Sequence, residues 1–144
     1  MKILITWFWL LAAGSLLFQP SGNLSIKVSN ISPVEGKLYI AIYTSADTYM
    51  DLEKTAFQKV ADIESETETI IIENIPDGEY AVTVFQDLNA NGELDTRGFG
   101  IPKEPYGFSN DARGSFGPPK FKTAKFDFSG DLEINITLIN DAKK

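Results

Sequence analysis

Residues 67–86 read TETIIIENI, PDG and EYAVTVFQ, two strand-like runs separated by a tight-turn signal. The first run contains three consecutive β-branched isoleucines, which favour extended backbone. The second run alternates between two sets of side chains, the period of a strand with two different faces. These sets are Tyr80, Val82 and Val84, and Ala81, Thr83 and Phe85. A chain built around such runs is predicted to be a β-sheet protein.

Similar runs recur along the chain at short spacing, which is typical of a sandwich or barrel. The seven runs lie at 24–28, 37–43, 56–63, 67–75, 79–86, 121–128 and 132–139. The run at 37–43 (KLYIAIY) is apolar on both faces, so we expect it to be a central strand. The last two runs are expected to pair through the Ser-Gly-Asp turn at 129–131. We therefore predict an all-β fold, a single seven-stranded antiparallel sandwich.

The N-terminus has the order of a secretory signal, with Lys2, an apolar stretch from Ile3 to Phe18, and then QPSG. The apolar stretch is shorter than the roughly 20 residues that a spanning helix needs. We expect residues 1–22 to be a signal peptide and residues 23–144 to form one domain with no membrane span. An uncleaved membrane anchor is the alternative.

Composition narrows the classes of function. Loss of Lys2 with the signal changes the formal net charge from −7 to −8, and such a chain lacks the basic face that nucleic acid requires. The sequence contains no His and no Cys. Imidazole acid–base chemistry, Ser-His-Asp triads, thiol nucleophiles and Cys/His zinc sites are therefore excluded. Catalysis would have to use carboxylates, Lys, Tyr or an oxygen-ligated metal, so a non-enzymatic protein is favoured.

The stretch at 87–120 is an exception to the short spacing, with 34 residues between two predicted strands. Loops longer than about 12–15 residues are uncommon and are usually functional or disordered. Six of the eleven glycines lie here, together with Phe99, Tyr106, Phe108 and Phe116. Because disordered segments usually have few aromatics, we predict one long ordered loop that folds back over the end of the sandwich and carries any site.

This loop begins with DLNANGELD at 87–95, which places oxygen-bearing side chains at alternate positions around a glycine. That spacing is the one by which calcium loops surround an ion. The candidate metal ligands are Asp87, Asn89, Asn91, Glu93 and Asp95, with Glu93 contributing its backbone carbonyl and Glu104 or Asp111 completing the set. Since few of them are charged, a weak Ca²⁺ site is predicted, in the range of about 10⁻⁴–10⁻³ M.

The motif is not an EF-hand, because the twelfth position is Gly98 instead of a bidentate Glu. The alternative to a metal site is a turn. Asp and Asn side chains bond to their own backbone in Asx-turns, and Asn91-Gly92 is a good turn dipeptide. The sequence leaves both interpretations open.

A second set of residues has the composition of a groove for a sugar or peptide. The candidate ligand or partner contacts are Phe99, Tyr106, Phe108, Asn110, Asp111 and Arg113. In the alternative, the aromatics cap the core and Arg113 pairs with a nearby acid. A hydrolase could draw its carboxylates from the acidic residues of the loop, but no spacing selects a pair. Those residues are Asp87, Asp95, Glu104 and Asp111.

Residues 75–128, above all the segments GIPKEPYGFSN and GPPKF, resemble the bacterial domain-of-unknown-function family 2141. The resemblance implies an exported bacterial protein with a transthyretin-like or carboxypeptidase-regulatory-like Greek-key β-sandwich. Such a protein would be periplasmic, secreted or on the cell surface. The family often has His at the position of Gln86, and a transthyretin-like hydrolase needs histidines that this chain lacks.

Together these features predict an exported, non-enzymatic β-sandwich module. Its expected partner is a protein or a glycan, and its only expected cofactor is weakly bound Ca²⁺ at residues 87–95. Two other classes of function stay open. One is a His-free hydrolase that uses carboxylates, and the other is a purely structural surface protein whose long loop only packs.

Overall fold

The computed structural model of the chain describes residues 18–141. Most of the predicted signal peptide falls on residues 1–17, which lie outside the described residues. Within this range the chain is mostly β, with one short α-helix, α1 (Phe121–Ala124). No helix between residues 18 and 141 has the length and hydropathy needed to cross a membrane.

The described range contains ten strands in two main sheets and one small hairpin. The strands are β1 (Ser21–Ser29), β2 (Lys37–Tyr43), β3 (Phe57–Asp62), β4 (Glu68–Pro76), β5 (Gly78–Asp87), β6 (Thr96–Arg97), β7 (Ile101–Pro102), β8 (Tyr106–Phe108), β9 (Phe126–Phe128) and β10 (Leu132–Thr137). The first sheet has the order β10-β1-β4, and the second has the order β3-β2-β5-β8, with β9 also paired to β5. Strands β6 and β7 form the hairpin. Short 3₁₀ turns lie at Leu52–Lys54, Gly98–Gly100 and Ser109–Asp111.

The two main sheets face each other across one apolar core. Leu24, Ile26 and Val28 of β1 are fully buried, as the alternation of that strand predicts. They belong to the same cluster as inward-facing residues of β2, β4, β5 and β10. Strand β2 is central, between β3 and β5, which confirms the prediction from its two apolar faces.

The predicted pairing of the last two strands is wrong. Strand β9 pairs with β5 in the second sheet, whereas β10 pairs with β1 in the first, in parallel, with Leu24 opposite Leu132. The turn at residues 129–131 therefore connects the two sheets. Alternation determines which side chains face a core but not which strand lies alongside. The prediction that all strands are antiparallel is wrong as well, because β1 and β10 are parallel. Residues 121–124, predicted as strand, form a helix.

The predicted count of seven strands is also wrong, because three more strands, β6, β7 and β8, lie within the predicted loop at 87–120. Strands of two or three residues are too short to show a period in the sequence. Strand β1 begins at Ser21, and the boundary between a signal peptide and the domain at residues 22 and 23 stays a prediction. The transthyretin-like Greek-key topology stays a prediction.

A second apolar cluster, the outer cluster, lies on the face of the second sheet that points away from the core. From the sheet it includes Ala41, Tyr43 and Ala81, which alternate with core residues along β2 and β5. Its other buried members are Phe108, Ala112, Phe121 and Ala124, with Tyr49 and Tyr106 partly buried against them. Residues 105–124, the packing segment, therefore cover part of this face.

Candidate functional site

Asp87 is the last residue of β5 and is fully buried. Its Oδ1 accepts a hydrogen bond from the backbone N–H of Asn91 at 3.3 Å, and its Oδ2 accepts one from Gly92 at 2.9 Å. The backbone of Asp87 is also in close contact with Gly36, which lies outside the loop. A Cβ at Gly36, where φ is +80°, would lie 2.2 Å from the carbonyl oxygen of Asp87, so only glycine fits this close approach.

Glu104 closes the base of the same loop. Its side chain is buried, with Oε1 accepting from the N–H of Leu88 at 2.8 Å and Oε2 accepting from the N–H of Asp95 at 3.0 Å. The N–H of Lys103 also donates to the carbonyl of Asp95 at 2.8 Å. One carboxylate thus joins both ends of the predicted calcium motif. We call residues 87–104 the carboxylate loop.

Three further predicted ligands converge at the centre of this loop. The side-chain amide of Asn91 donates to both oxygens of the Asp95 carboxylate, at 3.1 and 3.2 Å, and the amide of Asn89 also donates to that carboxylate. The Oδ1 of Asn89 accepts from the N–H of Asn91 at 3.3 Å, and the Oδ1 of Asn91 accepts from Glu93 at 2.9 Å. These last two bonds are those of Asx-turns. The side chain of Glu93 is exposed.

The carboxylate loop contains two buried acidic side chains that have no basic partner in the described range. Asp87 is 0% exposed and Glu104 is 4% exposed, and among residues 18–141 neither carboxylate forms an ion pair with Lys or Arg. Buried charges are usually paired or bound to metal, and here backbone N–H groups are their donors. No group of three or more Asp, Glu, His or Cys side chains in the described range could hold a metal ion. A cation at this loop would therefore depend on amide and backbone oxygens as well.

Asp111 does not reach the carboxylate loop. Its Oδ1 accepts from the N–H of Thr137 on β10 at 2.7 Å, and its Oδ2 contacts the hydroxyl of the same residue at 3.3 Å. The neighbouring Asn110 donates to the carbonyls of Thr123 at 3.3 Å and Lys125 at 2.8 Å. Both predicted contact residues thus connect segments of the fold.

The remaining predicted contacts are divided between two places. Phe99 lies at the tip of the β6–β7 hairpin, where its ring is fully exposed and its φ is 64°. Tyr106, Phe108 and Arg113 line one cavity of about 190 Å³ together with Asp141. The hydroxyl of Tyr106 donates to Oδ2 of Asp141 at 2.7 Å. Burial, with help from this hydrogen bond, raises the pKa of Tyr106 to about 12.

Sequence reasoning missed a shallow groove on the outer face of the second sheet. The rings of Tyr39 and Phe85 stack there, with centroids 5.0 Å apart and planes 13° from parallel. Leu52 and Val60 line the groove, whose volume is about 130 Å³, and Gly92 of the carboxylate loop forms part of its wall. Alternation along β2 and β5 places both rings opposite the core, and this was the signal available in the sequence.

Comparison with protein families supports the resemblance seen in the sequence. The family described as an uncharacterized protein conserved in bacteria (DUF2141) matches residues 26–136, which include both the carboxylate loop and the packing segment. Comparison with curated proteins and with solved structures found no significant match. Because the match extends over most of the 144 residues, the chain belongs to the DUF2141 family of bacterial proteins.

Proposed function

We propose that this protein is an exported, non-enzymatic β-sandwich module of transthyretin-like type whose carboxylate loop binds Ca²⁺ weakly. The observation that carries the proposal is the pair of buried carboxylates, Asp87 and Glu104, without a basic partner among residues 18–141. Burying negative charge is costly unless it is compensated. A divalent cation beside these groups supplies that compensation.

The side chains around Asp95 provide the rest of the donor set. The amide nitrogens of Asn89 and Asn91 bind the Asp95 carboxylate. A cation replaces these two donors, and rotation of each amide group by half a turn presents oxygen to it. The rotation breaks the Asx-turn bonds at the Asn oxygens, which reduces the net gain. This cost agrees with an affinity of only about 10⁻⁴–10⁻³ M.

The non-enzymatic part of the proposal rests on how the acidic side chains are used. Asp87, Glu104 and Asp111 each accept hydrogen bonds from backbone N–H groups that hold the fold together. A general base or nucleophile has to reach the reacting atoms of a substrate. Because three of the four candidate carboxylates bind the backbone of the chain itself, we favour a non-enzymatic protein over the hydrolase alternative.

The exposed contact residues are where we place a protein or glycan partner. Phe99 presents a fully exposed aromatic ring, and aromatic rings are common anchors in such contacts. The packing role of Phe108 and the internal bonds of Asn110 favour the purely structural alternative for the rest of the set. Glycan-array binding that Phe99→Ala abolishes and Phe116→Ala, at an equally exposed ring, leaves intact would support the partner site. Equal binding by both variants would remove Phe99 from it.

Calcium titration tests the cation site directly. Isothermal calorimetry with the purified protein should show binding in the millimolar range, whereas magnesium chloride at the same ionic strength should not. At a calcium concentration about ten times Kd, the free energy of unfolding should rise by about 1.4 kcal/mol. If calcium changes neither the heat nor the melting temperature, the loop is only a turn.

A pair of variants locates the effect. Asp95→Asn should remove the calcium-dependent stabilisation, because it takes a charge from the point where the loop side chains converge. Asp47→Asn removes the same charge from an exposed position in another loop and should leave the stabilisation intact. Loss of the effect in both variants would indicate nonspecific screening instead of a site.

A further inference from the structure

Each main sheet ends in an edge strand on the same side of the molecule. Strand β3 ends the second sheet and β4 ends the first, so within residues 18–141 each has one edge without a neighbouring strand. Such edges present unpaired N–H and C=O groups to which another chain can add. The side chain of Lys59 joins these two strands, because its Nζ donates to the carbonyl oxygen of Ile71 at 2.7 Å.

Lys59 has an unusual position on β3. It lies opposite Ile40 in register, and Ile40 is a buried member of the core cluster. Residues directly opposite each other in a sheet share a face, so Lys59 leaves β3 on the core side. Phe57 and Ala61, its neighbours on that face, pack against the core. Lys59 itself is exposed, so its charge lies at the rim of the core-facing side, and a charge on that side of an edge strand is a known means of preventing pairing between molecules.

The strand that Lys59 contacts is well suited to pairing. Residues 69–72 of β4 read TIII, four β-branched residues without charge or proline between Glu68 and Glu73. Segments of this composition are prone to pair with one another when they are exposed. Ile71, at the centre of the run, is 46% exposed, and its carbonyl is the one that Lys59 occupies.

We propose that the free edge of β4 is a self-association surface for a second copy of this chain, and that Lys59 keeps it closed. Two identical strands can pair antiparallel about a twofold axis, so the edge of one copy is complementary to that of another. The amine of Lys59 prevents this in two ways. It donates a hydrogen bond to the carbonyl oxygen of Ile71, which a second strand would otherwise use. It also places a positive charge where the second strand would lie.

Sedimentation velocity over a range of protein concentrations tests the proposal. The wild type should sediment as a monomer, whereas Lys59→Thr should shift to twice the monomer mass and above. Lys59→Arg keeps a donor and a charge and should stay monomeric. Lys27→Thr is the matched control, because Lys27 is an exposed lysine on the central strand β1 and the same charge is lost.

Two further variants test whether misfolding, instead of strand pairing, explains any association. Lys59→Met keeps the length of the side chain, and it should associate as Lys59→Thr does if the latter fails to fold. Adding Ile71→Lys to either variant returns a charge to the β4 edge and should restore the monomer. The proposal is overturned if both neutral Lys59 variants stay monomeric, if Lys27→Thr associates equally, or if the added Ile71→Lys leaves association unchanged.

Discussion

The carboxylate loop and the packing segment are consecutive in the chain and contain three glycines each, yet they are held by different forces. In the carboxylate loop, Asp87 and Glu104 are buried and accept backbone N–H groups. In the packing segment, Phe108 and Phe121 are buried in the outer cluster. The comparison shows that glycine content indicates where the chain turns, but not which interactions stabilise the turn. The carboxylate loop should respond to charge and cations, and the packing segment should respond to side-chain volume.

The largest expected effect is in the packing segment. Phe108→Ala should lower the free energy of unfolding by about 3–5 kcal/mol, because Phe108 is only 6% exposed and its removal leaves a cavity in the outer cluster. Urea denaturation followed by far-UV circular dichroism measures the loss. Phe116→Ala is the control, since that ring is fully exposed, and its effect should stay within about 0.5 kcal/mol. Similar losses in both variants would mean that the segment does not pack as described.

The core strands show how far the sequence predicts this fold. Leu24, Ile26 and Val28 are buried as alternation predicts, because a period of two residues is local information. Strand partners are not local information. Nothing in the sequence near Leu132 indicates that it lies parallel to Leu24. The pairing depends on how the turn at 129–131 crosses between the sheets.

The sequence indicates which residues of 87–95 could form the candidate site, but not which distant residues contact them. The spacing from Asp87 to Asp95 is visible in the sequence, and these residues do lie together. Glu104 and Asp111 are equivalent in the sequence as distant acids. Only the tertiary structure shows that Glu104 holds the loop and that Asp111 holds Thr137 instead. Such long-range contacts have no periodic signal.

A second prediction tests whether the packing segment also depends on the core beneath it. A Cβ at Gly107 would lie 2.7 Å from Cγ2 of Ile136, so Gly107→Ala should cost about 1–3 kcal/mol through overpacking. Thermal melting and urea denaturation measure it. Gly98→Ala is the matched control in the carboxylate loop, because a Cβ at that position would meet no heavy atom within 4 Å. A cost at Gly98 equal to that at Gly107 would contradict the comparison.

The third prediction concerns the carboxylate loop. Glu104→Gln keeps the shape of the side chain but replaces one acceptor with a donor, which leaves the N–H of Leu88 or Asp95 without its partner. The cost should be about 1–2 kcal/mol, the lower part of the usual range, because these two hydrogen bonds are only partly buried and water can reach the N–H group that loses its partner. Urea denaturation gives the cost, and amide hydrogen exchange should quicken at these two residues.

Amide hydrogen exchange in the packing segment tests whether the two regions are stabilised independently of each other. If the two regions are held independently, amides of residues 105–124 should exchange at the wild-type rate in Glu104→Gln. Glu133→Gln, at an exposed position on β10, serves as the control and should change neither region. Faster exchange through both regions would show that they form one cooperative unit.

The smallest expected effect distinguishes two tyrosines that border the outer cluster. The hydroxyl of Tyr49 is buried without a hydrogen-bond partner in the described range, whereas that of Tyr106 donates to Asp141. At pH 7, Tyr49→Phe should therefore change the free energy of unfolding little, or raise it slightly. Tyr106→Phe should lower it by about 0.5–1.5 kcal/mol. Urea denaturation of the two variants gives this difference, and equal losses would contradict it.

Alkaline pH extends this test. Burial, followed by the nearby Tyr43, raises the pKa of Tyr49 to about 12. An unfolded tyrosine has a pKa of about 10, so the folded state keeps the proton at pH values where the unfolded state loses it. The stability that this contributes is complete below pH 10 or so and is lost as the pH rises towards about 12. Tyr49→Phe should lose less stability than the wild type across that range, and an identical pH dependence would mean that Tyr49 ionises freely in the folded protein.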